Sequence, residues 1–181
     1  MPGSGKSIVS DFFVEKGFQY VRFGQITLDE VVKRKLPLNE KSERAVREEI
    51  RKKHGMAAFA ILNYPKFKKL LNAGNVIADG LYSWSEYKYL REKFANRMVV
   101  VAIYAPPQLR YERISKRKAS KKDKDLRNRS FTRKEAKERD FAEIENLEKG
   151  GTIAMADYTV LNTKNLAFLK KQLNEIYKEI A

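Results

Sequence analysis

Met1-Pro2-Gly3-Ser4-Gly5-Lys6-Ser7 opens the chain and matches the last seven positions of the phosphate-cradling pattern G-x-x-x-x-G-K-[ST]. In such a loop successive backbone N–H groups turn toward the phosphates, the lysine reaches the β and γ oxygens, and the hydroxyl coordinates Mg²⁺. The pattern therefore assigns Gly3, Ser4, Gly5, Lys6 and Ser7 to nucleotide binding, with Lys6 also catalytic and Ser7 also a metal ligand. Gly3 and Gly5 carry no Cβ that would hold the backbone away from a phosphate. Ile8, Val9, Phe12 and Phe13 follow at helical spacing and predict a helix closing at Lys16-Gly17. Its positive end would add to the anion site.

The spacing of the pattern puts its first glycine one residue before Met1, and the strand that normally feeds such a loop does not precede it in the chain. A start upstream of Met1 is therefore expected. In an open parallel sheet that strand is central, so without it the sheet should split and leave two edges unpaired.

A chain of 181 residues, 43% hydrophobic, suits a single domain with a sizeable core. With no cysteine, disulfides, thiolate metal sites and thiol catalysis are excluded, which fits a reducing compartment. The longest apolar run, Met98 to Ala105, is too short to span a bilayer, and the expected location is cytoplasmic with no membrane partner. A net charge of +15 makes anions the natural partners. The charge is densest from Arg110 to Arg139, where residues 119–130 read as lysine-rich and mobile.

Along the chain, Phe18 to Phe23 reads as a strand, and Thr27-Leu28-Asp29-Glu30 as a capping box opening a helix that Pro37 ends. Arg44, Arg47 and Arg51 share one face of a charged helix over about 41–53. Met56 to Leu62 predicts another helix, broken or kinked at Pro65. Asn75 to Gly80 reads as a short buried strand whose Asp79 emerges at the carboxyl edge beside Mg²⁺, giving Asp79 a metal and catalytic assignment. Ser83 to Glu86 caps the next helix, and Met98 to Ala105 reads as a strand covered on both faces. Pro106-Pro107 leads into a helix with Arg110, Arg113 and Arg117; Thr132 to Glu135 caps one running to Glu148 and stopping at Gly150-Gly151. Tyr158 to Leu161 is the last strand, and Asn165 to Ile180 an amphipathic helix with Leu166, Leu169, Leu173, Ile176 and Ile180 inward. Strands alternating with helices predict an α/β fold, a parallel sheet with helices on both faces.

Several strings together resemble the P-loop nucleoside-monophosphate-kinase-like proteins, the adenylate-kinase-related and dephospho-CoA-kinase-like group. They are residues 1–7, Val76 to Gly80, Val101 to Pro107, Leu109 to Arg113, Arg139-Asp140 and Ala154 to Asn162. The resemblance implies a three-layer P-loop kinase fold lacking its first strand, in one domain over residues 1–181. It also implies an acceptor-binding region over 24–74 and a basic, lid-like segment over 110–150. Arg113 and Arg117 resemble lid-hinge arginines that pack on adenine and contact phosphates, Arg139 a lid arginine that swings in, and Asn162 part of the loop bordering the base. The family often carries an acid after the glycine ending the second strand, where this chain has Gly24-Gln25, with Asp29 the nearest downstream candidate.

The expected activity is transfer of the γ-phosphate of ATP, with Mg²⁺, to a nucleotide or nucleotide-like small molecule. Such a reaction asks the protein for positioning and charge neutralisation, which Lys6, Asp79, Arg117 and Arg139 would supply. The competing expectation is a basic nucleic-acid-binding protein using residues 116–133, with a regulatory or vestigial nucleotide site. A third is an NTPase switch that needs no acceptor. Asp157 reads as a turn or cap residue, His54 as a lone histidine with no Cys or His partner for a metal, and Tyr82 and Trp84 as packing aromatics, Tyr82 lying close enough to Asp79-Gly80 to touch a substrate.

Overall fold

The computed structural model describes residues 1–117 and 132–180. In chain order the elements are α1 Lys6–Glu15, β1 Gln19–Arg22, α2 Gln25–Lys33, α3 Glu40–His54, α4 Ala58–Leu71, β2 Val76–Asp79 and α5 Trp84–Phe94. They continue with a short turn of 3₁₀ helix, β3 Val101–Tyr104, α6 Pro107–Ser115, α7 Arg133–Glu145, α8 Lys149–Ala154, β4 Tyr158–Leu161 and α9 Leu166–Ile180. This is the α/β alternation expected from the sequence, with every strand pair parallel. The strands form two two-stranded ladders: β1 pairs with β2, and β3 with β4. The residues gather in two compact units, Phe13–Met98 and Met1–Phe12 with Val99–Ala181.

In the Phe13–Met98 unit, Val21, Phe23, Ala58, Phe59, Ala60, Phe67 and Leu90 form the core. Phe23 of the β1 end meets Phe67 of α4 at 5.7 Å between ring centroids. The expected break at Pro65 does not occur, and α4 continues through it to Leu71. A proline costs the helix one hydrogen bond there; the buried Phe59 and Phe67 on either side hold the helix to the core regardless. The capping box expected at Thr27 does not form. α2 begins at Gln25 after Gly24, and Thr27 lies buried in its first turn. α3 is capped by Asn39, whose side chain accepts from the Ser42 N–H at 2.9 Å. At α5 the Ser83–Glu86 capping box forms as the sequence indicates.

In the other unit, Ile114, Ala136, Val160, Leu169 and Leu173 are buried, while Leu166, expected inward, is exposed. The strand expected over Met98 to Ala105 is shorter, and Tyr104 at its end is 51% exposed. Its residues are half-buried or exposed and not covered on both faces as expected. Asp157, expected as a turn or cap residue, instead links distant segments, its carboxylate accepting from the Val100 N–H at 2.7 Å just before β3. Thr132 and Glu135 form the expected capping box on α7. The helix ends at Glu145, however, and α8 runs through the glycines thought to stop it, because Glu148 adopts φ +51 and restarts the helix.

Candidate nucleotide site

The loop before α1 carries alternating left-handed glycines, Gly3 at φ +74 and Gly5 at φ +104. Such conformations cost little only without a Cβ. Space argues the same way. A Cβ on Gly3 would stand 2.6 Å from the Arg110 carbonyl oxygen, and one on Gly5 2.2 Å from the Asn162 carboxamide nitrogen. The backbone is thus pressed against α6 on one side and against the end of β4 on the other. Lys6 Nζ donates to the Met1 carbonyl at 2.9 Å, which lays the side chain back along the loop. The buried Ser4 hydroxyl has no hydrogen-bond partner among the described residues, and Ser7 is half-buried at the first turn of α1. Gly-rich backbone, an orphaned hydroxyl and a lysine are the donor chemistry a phosphate chain takes, and the residues present fit that group.

Two side chains hold the loop from outside. Arg110 is buried; its Nη1 donates to the Pro2 carbonyl at 3.1 Å and its Nε to the Ala105 carbonyl at 3.0 Å. The guanidinium also forms a bidentate pair with Asp140 of α7, at 2.8 and 2.5 Å. The Tyr111 hydroxyl donates to the same carboxylate at 2.9 Å, and burial followed by that bond raises the pKa of the phenol. On the other side Asn162 Nδ2 donates to the Ser4 carbonyl at 2.8 Å. Arg113 in turn donates from Nη1 to the Asn162 carbonyl at 2.9 Å and from Nη2 to its Oδ1 at 3.5 Å.

Arg113 and Asn162 are therefore brought to the loop, where both are engaged in bracing it. Arg139 lies on α7, its Nε donating to Glu143 Oε1 at 3.2 Å, and Glu143 also pairs with the buried Lys149 of α8. Burial pushes the Glu143 carboxyl up, but the charges of Lys149 and Arg139 outweigh it and hold the group well below the usual carboxylate range; Lys6 adds to that field. Arg117 follows α6, and burial lowers its pKa from the usual arginine value. The mobile run expected over 119–130 lies outside the described residues, as does part of the lid-like segment.

In the Phe13–Met98 unit, Asp79 ends β2 with its backbone carbonyl accepting from the Phe23 N–H at 3.0 Å and with a buried Oδ1 that has no partner among the described residues. Beyond it Gly80 takes φ +98, and the Tyr82 ring occupies the place of its Cβ. The turn is fixed by the buried Glu86 carboxylate, which accepts from the N–H groups of Tyr82 and Ser83 at 2.9 and 3.1 Å. Asp29 is exposed and accepts from Gln25 Nε2 at 2.9 Å. Of the α3 arginines, Arg44 is paired with Glu48, Arg47 with Glu40 and Glu43, and Arg51 lies over the Phe59 ring. Trp84 stacks on Tyr87 at 4.8 Å between centroids, the packing role expected of it.

Sequence reasoning missed Arg110, Asp140, Glu143 and Lys149. A signal existed for the first of these: Arg110 shares a helix face with Ile114, four residues on, and Ile114 is the apolar residue of α6 that faces inward. Among the described residues no helix is long and apolar enough to cross a membrane.

The AAA domain family matches residues 1–146 of the chain. A UPF0200 protein of Pyrococcus abyssi is 35% identical over 182 residues, spanning 99% of this chain and 93% of that protein. One from Thermococcus gammatolerans is 34% identical with 99% and 92% covered. A UPF0200/UPF0201 protein of Archaeoglobus fulgidus is 31% identical over 189 residues, which take in 99% of this chain and 54% of that longer protein.

Proposed function

Because the chain belongs to the AAA domain family of nucleotide-binding P-loop proteins and is a relative of the archaeal UPF0200 proteins, we propose that it is an ATP- and Mg²⁺-dependent kinase of a small nucleotide-like acceptor. The observation that carries this reading is the loop itself. Gly3 and Gly5 hold the backbone in a conformation and at a closeness no other residue permits, directly before a lysine and a hydroxyl at a helix start.

In the transfer an acceptor oxygen bonds to the γ-phosphorus as the bond from phosphorus to the bridging oxygen breaks, and ADP leaves with the electron pair. A hydroxyl acceptor gives its proton to solvent water as its oxygen bonds to phosphorus; an ionised phosphate acceptor has none to release. Lys6 neutralises charge on the β and γ oxygens, and Ser7 supplies an oxygen of the kind Mg²⁺ takes. The Asp79 carboxylate, with one oxygen unpartnered, is the acid proposed to orient the cation or its water. Arg117 and Arg139 are proposed to meet the transferring group, a task worth about 10³- to 10⁵-fold in rate in related chemistry.

The acceptor is proposed to be a nucleoside monophosphate or a dephospho-CoA-like molecule. Incubation with γ-labelled ATP and each candidate acceptor tests this. Label appearing on one acceptor, and lost in Lys6→Ala, is the expected result. Release of inorganic phosphate at a rate indifferent to every acceptor would replace the kinase with a simple NTPase.

A further inference from the structure

Arg110 and Asn162 grip the loop at alternate carbonyls, Pro2 and Ser4. A trans peptide is planar, with its N–H directed opposite to its C=O, and no peptide among the described residues is cis. Fixing the Pro2 carbonyl toward Arg110 therefore turns the Gly3 N–H to the opposite side. Fixing the Ser4 carbonyl toward Asn162 does the same for the Gly5 N–H. Neither N–H has a hydrogen-bond partner among the described residues. The geometry points to Arg110 and Asn162 as positioning residues that set the direction of these two phosphate-donating amides, with Asp140 aiming Arg110.

The chemistry of each grip suits that task. Glycine makes both peptides easy to flip, since no Cβ opposes the alternative orientation, so a loop of this composition needs its carbonyls held if its donors are to be preorganised. Arg110 offers a rigid fork. Asp140 takes two of its N–H groups, the Ala105 carbonyl a third, and the geometry leaves Nη1 on the Pro2 oxygen. A lysine could supply charge there but not that fixed set of directions. Asn162 is held likewise: Arg113 binds its backbone and side-chain oxygens, which leaves Nδ2 as the donor facing Ser4. The unit thus contains two independent carbonyl anchors, one from α6 and one from the end of β4, each serving a different glycine.

The inference rests on the nucleotide reading above and adds which groups outside the loop make it competent. Arg110→Lys and Asn162→Leu test it, with Arg44→Gln on the exposed face of α3 as the control. Titration of ¹⁵N-labelled protein with ATP·Mg should move the Gly3 and Gly5 amide protons far downfield in the wild type. Arg110→Lys should lose the Gly3 shift, and Asn162→Leu the Gly5 shift. Each should weaken ATP·Mg binding about 10- to 150-fold, the size of one charge-assisted hydrogen bond, while Arg44→Gln binds as wild type. A role limited to stability would lower the melting temperature and leave both shifts and the affinity of the folded protein intact. That result overturns the assignment. If Arg110→Lys does not fold, Asn162→Leu decides alone, because it leaves the Arg110–Asp140 pair in place. A wild-type chain that binds no ATP·Mg overturns this inference and the nucleotide reading together, whereas binding with unchanged variants overturns this one only.

Discussion

The Asn162 carboxamide nitrogen stands 2.2 Å from where a β-carbon of Gly5 would lie, and it reaches past that point to the Ser4 carbonyl at 2.8 Å. Residues 158 apart in sequence are thus in contact through the absence of a single methyl group. Gly5→Ala should strain the backbone at φ +104 and displace Asn162, lowering stability by about 1–3 kcal/mol. Nucleotide affinity should fall by more than about ten-fold, because an amide donor moves with it. Calorimetric titration beside thermal unfolding checks both, and an alanine variant with full affinity would remove the close-approach argument.

Asp140 is the only acid that the described geometry gives Arg110 as an ion-pair partner, and both side chains are 5% exposed. Removing one member of a buried pair strands the other charge, so Asp140→Ala should cost about 3–5 kcal/mol in urea unfolding. Tyr111→Phe removes one hydrogen bond to the same carboxylate and should cost only about 1 kcal/mol. Equal costs would mean that packing, and not the charge pair, holds α7 to α6.

Glu143 gives the fold an acid limit. Its folded pKa lies below the ordinary value of 4.5, so its contribution is fully present above about pH 4.5 and is lost as pH falls from there toward the depressed value. Stability measured by denaturant midpoint should therefore decline between about pH 5 and pH 2. Glu143→Gln should be less stable at neutral pH, with a flatter decline across that window. A parallel pair of profiles would show that other carboxylates set the acid limit.

Lys6→Ala and Asp79→Asn should separate binding from chemistry. On the proposed kinase reading, the lysine change should raise KM and lower kcat, because the ammonium would meet the phosphates in the ground state and more strongly in the transition state. The aspartate change should act mainly on kcat. Steady-state rates over a range of ATP and Mg²⁺ concentrations distinguish them; an Asp79→Asn enzyme with wild-type kcat would leave that carboxylate structural.

Much of this was legible because it is local. The capping boxes at Ser83 and Thr132 carry their signal within a few residues and form as read; the strand ending in Asp79 also forms, but it is half-buried with Ala78 exposed and not the buried strand expected. The parts that were not legible depend on partners far along the chain. Arg110, Arg113 and Arg117 look alike in sequence. Only the fold shows that Arg110 lies inside against Asp140 and that Arg113 reaches Asn162. The stop expected at Gly150-Gly151 failed because Glu148 adopts a left-handed backbone that no residue preference announces. On α3, Arg44 and Arg47 are ion-paired along their own helix, partners that the shared face alone does not specify.

The most direct test of the central claim is calorimetric titration of the purified chain with ATP·Mg, run beside its Lys6→Ala variant. Saturable one-to-one binding by the wild type, weakened at least about ten-fold in the variant, is the result expected of a loop that wraps a triphosphate. Equal heats from the two proteins, or none from either, would contradict it.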